Sequence, residues 1–420
     1  MVHRIETVVI GGGQAGLGVS YYLTQQDRPH VVLEQASQAA NAWRNHRWDS
    51  FTLNTPNWQS WLPGAEIPGD DSEGFLTREE IIAYFEKYVE RFHLPVRYDV
   101  HAQSVVPRSS GRGYIVETSI GRFEADNVVI ATGLYQKPKV PSLSLEFPSD
   151  VKQIHSDEYR NPQTLPEGAV LVVGSGQSGA QIAEELYQSG RRIYLSVGSA
   201  GRVPRRYRGR DINDWFTRLG LFDTEVEELE SPRDKFAYHP QISGKNGGHS
   251  LNLHQFARDG VVLLGHVRDV REGKLILAPD LHETLEKVDQ FEIGALQKIN
   301  DYIDRAALET PMQSIPELYD GYLQELITAL DLSACGISTV IWATGYTFDY
   351  SLVKLPVVDE DGYPIQKRGV TRFDGLYFLG MPWLHNRRSG ILFGVGDDAA
   401  YLAKHIVARS AARLPIAVSA

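Results

Sequence analysis

Two glycine-rich hexapeptides, Gly11-Gly12-Gly13-Gln14-Ala15-Gly16 and Gly174-Ser175-Gly176-Gln177-Ser178-Gly179, carry the spacing GxGxxG twice in one chain. That spacing binds a pyrophosphate when it joins a strand to a helix. The first glycine makes the turn, the second lets the backbone approach the phosphates, and the third lets the helix close on its strand. Unpaired N–H groups and positive potential at the helix N-terminus complete an anion site. Gly11, Gly13, Gln14, Ala15 and Gly16 are therefore expected to hold one dinucleotide, and Gly174, Gly176, Gln177, Ser178 and Gly179 a second.

The flanking residues supply the required elements. Thr7-Val8-Val9-Ile10 reads as a strand before the first hexapeptide, and Gln14 to Gln26 as the helix after it. The next strand, His30-Val31-Val32-Leu33, ends at Glu34, placed to accept hydrogen bonds from the ribose of FAD or NAD. The second hexapeptide lies between Ala169-Val170-Leu171-Val172-Val173 and a helix from Gln177 to about Gln188. Its counterpart of Glu34 is Val197, which leaves no carboxylate to repel a 2′-phosphate. Arg202-Val203-Pro204-Arg205-Arg206-Tyr207-Arg208 follows. Arg202 and Arg205 are expected to bind that phosphate through paired hydrogen bonds, which favours NADPH over NADH.

Two further apolar runs end alike, in Ala131-Thr132-Gly133 and in Ala343-Thr344-Gly345. One closes before the second hexapeptide and the other follows it. The expected fold is α/β, with two Rossmann-like dinucleotide-binding domains and the NADPH domain inserted into a split FAD domain. The segments read as 1–166 (FAD, first part), 167–334 (NADPH, with a helical insertion) and 335–420 (FAD, second part).

This order of features resembles the class B flavoprotein monooxygenases, which include the flavin-containing monooxygenases, the YUCCA enzymes and the Baeyer–Villiger monooxygenases. The resemblance spans nearly the whole chain. Trp342-Ala343-Thr344-Gly345-Tyr346 is similar to the family's Phe-Ala-Thr-Gly-Tyr motif, and His155-Ser156-Asp157-Glu158-Tyr159 resembles the second half of its FxGxxxHxxx(Y/F) signature. The first half departs, with Ser149 and Val151 where the family has Phe and Gly. Tyr159 in place of Trp leans away from the Baeyer–Villiger branch. His155 is expected to link domains rather than act as a base.

The resemblance implies a flavin site built from two segments. Trp43 and Arg44 follow the first βαβ unit, where related enzymes line the flavin edge. Asn54 is similar in location to an asparagine that hydrogen-bonds near the oxygen-reactive flavin carbon, and it is the expected catalytic residue. The second segment runs from Gly380 through His385-Asn386-Arg387-Arg388-Ser389-Gly390 and Leu392 to Asp397. Asp397 is expected to cap a helix reaching about Arg409, whose positive end faces the flavin. The implied reaction passes a hydride from NADPH to FAD, adds O2 to give a C4a-hydroperoxyflavin, and places one oxygen atom on a small organic substrate by N- or S-oxygenation or hydroxylation. Alternatives are Baeyer–Villiger oxygenation of a ketone, with Arg387 or Arg388 beside the flavin, and a reductase feeding a quinone or protein acceptor.

Composition narrows the classes. A chain of 420 residues suits two domains, and 42% hydrophobic with 23% charged residues is ordinary for a globular protein. The net charge of −11 argues against general nucleic-acid binding. No apolar run approaches a membrane span, and the first hexapeptide lies too near the N-terminus to follow a cleaved leader, so a cytoplasmic protein is expected. Cys335 is the sole cysteine, which removes the CxxC pair of thioredoxin-reductase-like enzymes. His239, His249 and His254 fit no metal-ligand spacing, and no metal is expected. Thr77-Arg78-Glu79-Glu80 reads as a capping box, Leu281 to Ala307 as a long helix weakened near Gly294, and Asp361-Gly362 as a hairpin turn. Trp58, Trp61, Trp215, Phe216 and Trp383 are candidate pocket aromatics, and residues 202–260 the expected carrier of specificity. Oligomeric state stays open, a homodimer included.

Overall fold

A computed structural model describes residues 2–66, 71–109, 111–236 and 240–411. His239 lies outside the described residues. The chain opens with β1 (Val2–Ile10), α1 (Gln14–Gln25), β2 (His30–Leu33), the short α2 (Asn41–Asn45), α3 (Arg78–Arg91), β3 (Val96–Arg97), β4 (Ala102–Pro107), β5 (Tyr114–Thr118) and β6 (Gly121–Ile130). It crosses to a second unit through β7 (Lys137–Pro138). There follow β8 (Lys152–His155), β9 (Ala169–Val173), α4 (Gln177–Gln188), β10 (Ile193–Ser196), the pair β11 (Arg206–Tyr207) and β12 (Arg210–Asp211), and α5 (Ile212–Arg218). The unit continues with β13 (Ile242–Ser243), β14 (His249–Ser250), α6 (Leu253–Arg258), β15 (Val262–Leu264), β16 (Val267–Arg271), β17 (Lys274–Leu277), α7 (Leu281–Arg305), β18 (Ala329–Asp331) and β19 (Ile337–Trp342). The chain returns along β20 (Tyr346–Thr347) and ends with β21 (Gln366–Lys367), β22 (Val370–Thr371), β23 (Leu376–Phe378) and α8 (Leu392–Ala411).

The first sheet runs β21-β22-β23-β6-β1-β2-β3, with β5 and β4 extending from β6. Its centre is parallel, because β1 pairs with both β2 and β6 and β23 joins β6 in the same sense. The second sheet is wholly parallel, in the order β15-β10-β9-β19-β8. Strands buried on both faces of such a sheet read as unbroken apolar runs, as Ala169–Val173 does. The two passages between the units, β7 and β20, pair antiparallel with each other. They form the neck of an insertion, and β23 restores the split first sheet.

The structure redraws the expected boundaries. Both β8 and β19 belong to the second sheet, although the sequence reading leaves them in the flanking segments outside 167–334. Sheet membership is decided by pairing partners distant in sequence, which apolar patterning does not reveal. Thr77 caps α3 through a reciprocal box with Glu80, as expected. The long helix α7 runs unbroken past Gly294. Asp361-Gly362 sits in a tight turn, where Asp359 Oδ1 accepts from the N–H groups of Asp361 and Tyr363. The C-terminal helix α8 starts at Leu392, so Asp397 lies inside it and pairs with Arg388 at 3.1 Å instead of capping it. The glycines before Asp397 are helical and serve packing: a Cβ on Gly394 would strike Arg388, and one on Gly396 would press on Pro63.

Candidate active site

The two hexapeptides fold into near-identical turns. Gly11 has φ +108° and Gly174 φ +100°, values that L side chains rarely adopt. A Cβ on Gly11 would overlap Ala131 O, and one on Gly174 would crowd Ala343 O. Each Ala-Thr-Gly thus forms the floor of one glycine turn. Gly16 closes on Gly11 O and Gly179 on Gly174 O, bringing each helix onto its strand. Gly13 and Gly176, the residues preceding α1 and α4, have open space where a Cβ would point, and neither helix receives a side-chain cap. Two helix N-termini with unsatisfied N–H groups beside open space suit two pyrophosphates. The first helical side chains are tied elsewhere: Gln14 Nε2 donates to Gly390 O (2.7 Å), and Gln177 Nε2 to Pro240 O (2.7 Å). Ala15 lies buried under Gly380, while Ser178 is half-buried.

Beyond the turns the two sites differ. Glu34 is buried at the end of β2 and accepts from the N–H of Gly12 (2.8 Å) and of Ala36 (2.9 Å), which orients its carboxylate beside the first turn. At the end of β10, Val197 is buried and offers no acceptor. The two arginines expected to take a 2′-phosphate are spent on protein carboxylates. Arg202 is buried between Asp289 and Glu292 of α7, with its Nη1 2.5 Å from Asp289 and its Nη2 2.8 Å from Glu292. Arg205 is buried on Asp211 (2.8 Å), stacked 4.2 Å from the centre of the Phe75 ring, and its Nη1 donates to Asn54 O (2.7 Å). Burial would lower the Arg205 pKa, and Asp211 opposes that. The phosphate role assigned to these side chains is thereby corrected to a structural one. Arg206 stays exposed and donates to the carbonyls of Gly247 and Gly248.

The loop after α2 meets the second unit at Asn54. Asn54 Oδ1 accepts from Gln181 Nε2 of α4 at 2.8 Å. Trp43 and Arg44 lie half-buried on α2, with Arg44 on Glu86 (2.5 Å) and its carbonyl accepting from Arg78. Arg47 is buried among the rings of Tyr135 (4.6 Å), Trp43 (5.5 Å) and Phe51 (5.6 Å), a cation held on aromatic faces. Burial pushes the Tyr346 phenol up to about 12, and nearby Arg47 restrains the shift.

At the neck, His155 is buried at the end of β8 between Asp157 Oδ1 (2.8 Å) and Gly345 O (3.0 Å). Burial pushes the Asp157 carboxyl up, yet hydrogen bonds from His155 and His46 outweigh it and hold the group well below the usual carboxylate range. His155 thus touches the neck rather than either glycine turn. Thr132 accepts from Gln136 (3.0 Å), Gly133 O from the same amide (2.8 Å), and Thr344 donates to Lys139 O.

The C-terminal segment closes over the first turn. Gly380 touches Ala15, Gly390 O receives Gln14, and Leu392 is buried at the start of α8. Arg388 is engaged by Asp223 (3.0 Å) and Asp397 (3.1 Å). Arg387 is half-buried and forms no ion pair among the described residues, and burial lowers its pKa. The segment 222–236 of the second unit lies across this region: Phe222 meets Phe393 at 5.4 Å, Val226 donates to His385 O, and Lys235 sits 4.2 Å over Tyr363. Sequence patterning had no access to Gln181, Arg47 or this strap, because their partners lie more than 80 residues away or are set by ring packing. Of the candidate pocket aromatics, Trp215 is wholly buried in a core cluster and donates to Tyr207 O. His249 and His254 bind Glu184 (2.7 Å) and Asp289 (3.2 Å), and no metal-binding group occurs among the described residues.

Residues 8–210 match the pyridine nucleotide-disulphide oxidoreductase family. A CzcO-like oxidoreductase of Geobacillus kaustophilus is 34% identical over 409 residues, covering 97% of this chain and 99% of the relative. The indole-3-pyruvate monooxygenase YUCCA4 of rice is 26% identical over 96% of this chain and 87% of its own length. A flavin-containing monooxygenase from Stenotrophomonas maltophilia superposes with a TM-score of 0.67 at 20% identity, covering 97% of this chain and 99% of that one, and so shares the fold. No helix among the described residues is long and apolar enough to cross a membrane. With two glycine turns of the same geometry and a relative matched from end to end, the chain belongs to the CzcO-like oxidoreductases, and is a flavin-dependent oxidoreductase using FAD and NADPH.

Proposed function

We propose that this protein places one oxygen atom of O2 on a small nucleophilic substrate, by N- or S-oxygenation or hydroxylation, and reduces the other atom to water at the expense of NADPH. The observation that carries the reading is that the chain has a single cysteine, and so no cysteine pair to take electrons from a flavin. Cys335, the single cysteine of the chain, precedes β19, at the opposite end of that strand from Ala343-Thr344-Gly345. Six residues of strand put it about 20 Å from the glycine turn. A cysteine-pair relay has nothing to run on, which favours O2 as the acceptor of electrons from the flavin.

The residues divide the work. FAD, when bound, takes a hydride from NADPH and passes the electrons to O2. The α1 N-terminus with Gly13 holds its pyrophosphate and Glu34 its ribose, while Gly380, Gly390 and Leu392 close on the same turn. The α4 N-terminus with Gly176 holds the pyrophosphate of NADPH. Asn54 meets the second unit with its Oδ1 accepting from Gln181, and its amide N–H groups make no hydrogen bond among the described residues. A neutral amide donor can stabilise negative charge on oxygen without supplying a labile proton. The strap 222–236 covers the C-terminal side, which limits water where oxygen is handled.

A second reading, Baeyer–Villiger oxygenation of a ketone, is favoured by Arg387, whose guanidinium pairs with no carboxylate among the described residues. Turnover under 18O2 with a panel of amines, thioethers and ketones separates these outcomes. One 18O atom in the product, with water as the other fate, supports the proposal, and a lactone or ester selects the second reading. Stoichiometric H2O2 with fast reduction of quinones would replace both with a reductase.

A further inference from the structure

The loop that carries Asn54 belongs to the FAD unit, yet every hydrogen bond to this residue described above comes from the NADPH unit. Gln181, on the second turn of α4, is 9% exposed and directs Nε2 at Ile242 O (2.9 Å) as well as at Asn54 Oδ1 (2.8 Å). The two ends of an amide are told apart by their partners, and a backbone carbonyl accepts only. Ile242 O therefore fixes which end of Gln181 is nitrogen. That nitrogen is a donor, so the Asn54 atom facing it is oxygen, and the Asn54 NH2 group is turned the other way. Gln177 locks the same set: Nε2 donates to Pro240 O, leaving Oε1 to accept from Ile242 N (3.3 Å). The backbone is held too, since Arg205 Nη1 donates to Asn54 O. Gly244 packs so closely on Leu53 O that a Cβ there would overlap it.

We infer that Gln181 is a positioning residue for the oxygen half of the reaction, fixing the Asn54 amide so that its NH2 group donates into the flavin site, while Arg205 anchors the Asn54 backbone. The orientation of the amide is thereby set from the helix whose N-terminus receives NADPH. The inference rests on the proposed role of Asn54 as the donor on the oxygen side.

The test needs no known substrate. The FAD-loaded enzyme is assayed with NADPH and O2 alone, where each NADPH that leaks delivers two electrons to O2 and releases one H2O2. Gln181→Met removes the donor at similar length, and Gln181→Leu removes it with a shorter apolar side chain, so that neither can hold the Asn54 oxygen. Both are expected to retain FAD, to be reduced by NADPH anaerobically within about twofold of the parent, and to release H2O2 about tenfold faster or more, as for loss of an aimed donor. Asn54→Ala should leak alike, and the Asn54→Ala/Gln181→Met double variant no more than either single one. A leak in Asn54→Ala with none in the Gln181 variants overturns the inference and leaves Asn54 standing. No leak in Asn54→Ala removes the reading on which it rests. Loss of FAD from both Gln181 variants would make the residue structural and overturn it as well.

Discussion

At the scale of single residues, the two nucleotide sites differ most sharply at one position. Glu34 and Val197 occupy equivalent ends of β2 and β10, but only Glu34 presents a carboxylate, oriented by the N–H groups of Gly12 and Ala36. A carboxylate at the second position would face the 2′-phosphate of NADPH at close range, where like charges repel, and would suit the free 2′-hydroxyl of NADH. Val197→Glu is therefore expected to raise the KM for NADPH by on the order of tenfold, about 1.4 kcal/mol, and to leave that for NADH equal or lower. Steady-state oxidation of the two nucleotides checks this, and an unchanged ratio would move the selectivity elsewhere. The neighbouring arginines show why a charge cluster misleads when read alone. Arg202 and Arg205 have the type and place expected of phosphate ligands, but the carboxylates that claim Arg202 lie on α7, some 90 residues later, and Asp211 claims Arg205 from the next hairpin. Buried charges are paired, and the pairing is a tertiary fact.

At the scale of elements, what was legible is what is local. The GxGxxG turns, their strands and helices, and the Thr77 capping box all depend on residues within one or two turns of each other, and they fold as their sequences read. The misread features depend on distant partners: the sheet to which β8 and β19 belong, and the start of α8 at Leu392, five residues before Asp397. Asn54 could be picked out by resemblance, but its clasp by Gln181 and Arg205 spans 127 and 151 residues. The pairing of α1 with β2 has its own test. His30 is buried, with Nδ1 on Arg28 O (2.8 Å) and Nε2 on Ser20 Oγ (2.8 Å), which suits a neutral ring that donates from Nδ1 and accepts at Nε2. Burial holds its pKa below the ordinary 6.5. Between the lowered folded value and 6.5 the unfolded chain binds more protons, so stability rises with pH through that window. The His30 contribution is complete above 6.5 and is lost as pH falls through the folded value. Urea midpoints from about pH 7.5 to about pH 5 should fall more steeply for the parent than for His30→Gln, and parallel slopes would remove His30 as the cause.

Across the whole molecule, the inserted unit is bound to its host by far more than a neck. One continuous hydrophobic core contains Val9, Leu17 and Leu402 of the FAD unit together with Val172, Ile182 and Leu285 of the NADPH unit. Around it lie the β7–β20 pair, the His155 contact to Gly345 O, the clasp on Asn54, and the strap, where Asp223 meets Arg388. Units that share a core cannot unfold one at a time without exposing the apolar face of the other, which costs roughly 25 cal/mol for each Å² uncovered. Binding at one nucleotide site should therefore protect the other. NADP⁺ at a hundredfold excess over its Kd stabilises the folded protein by about 2.7 kcal/mol. If the units unfold together, that free energy raises the temperature at which FAD is released as much as the temperature at which tryptophan fluorescence reports global unfolding. The two transitions are expected to coincide without NADP⁺ and to move upward together with it. Flavin release that precedes unfolding and ignores NADP⁺ would mean that the first sheet opens alone and that the shared core does not couple the sites. Coincident shifts would identify the core as the route by which an occupied NADPH site keeps the flavin, and with it the oriented Asn54 amide, in place.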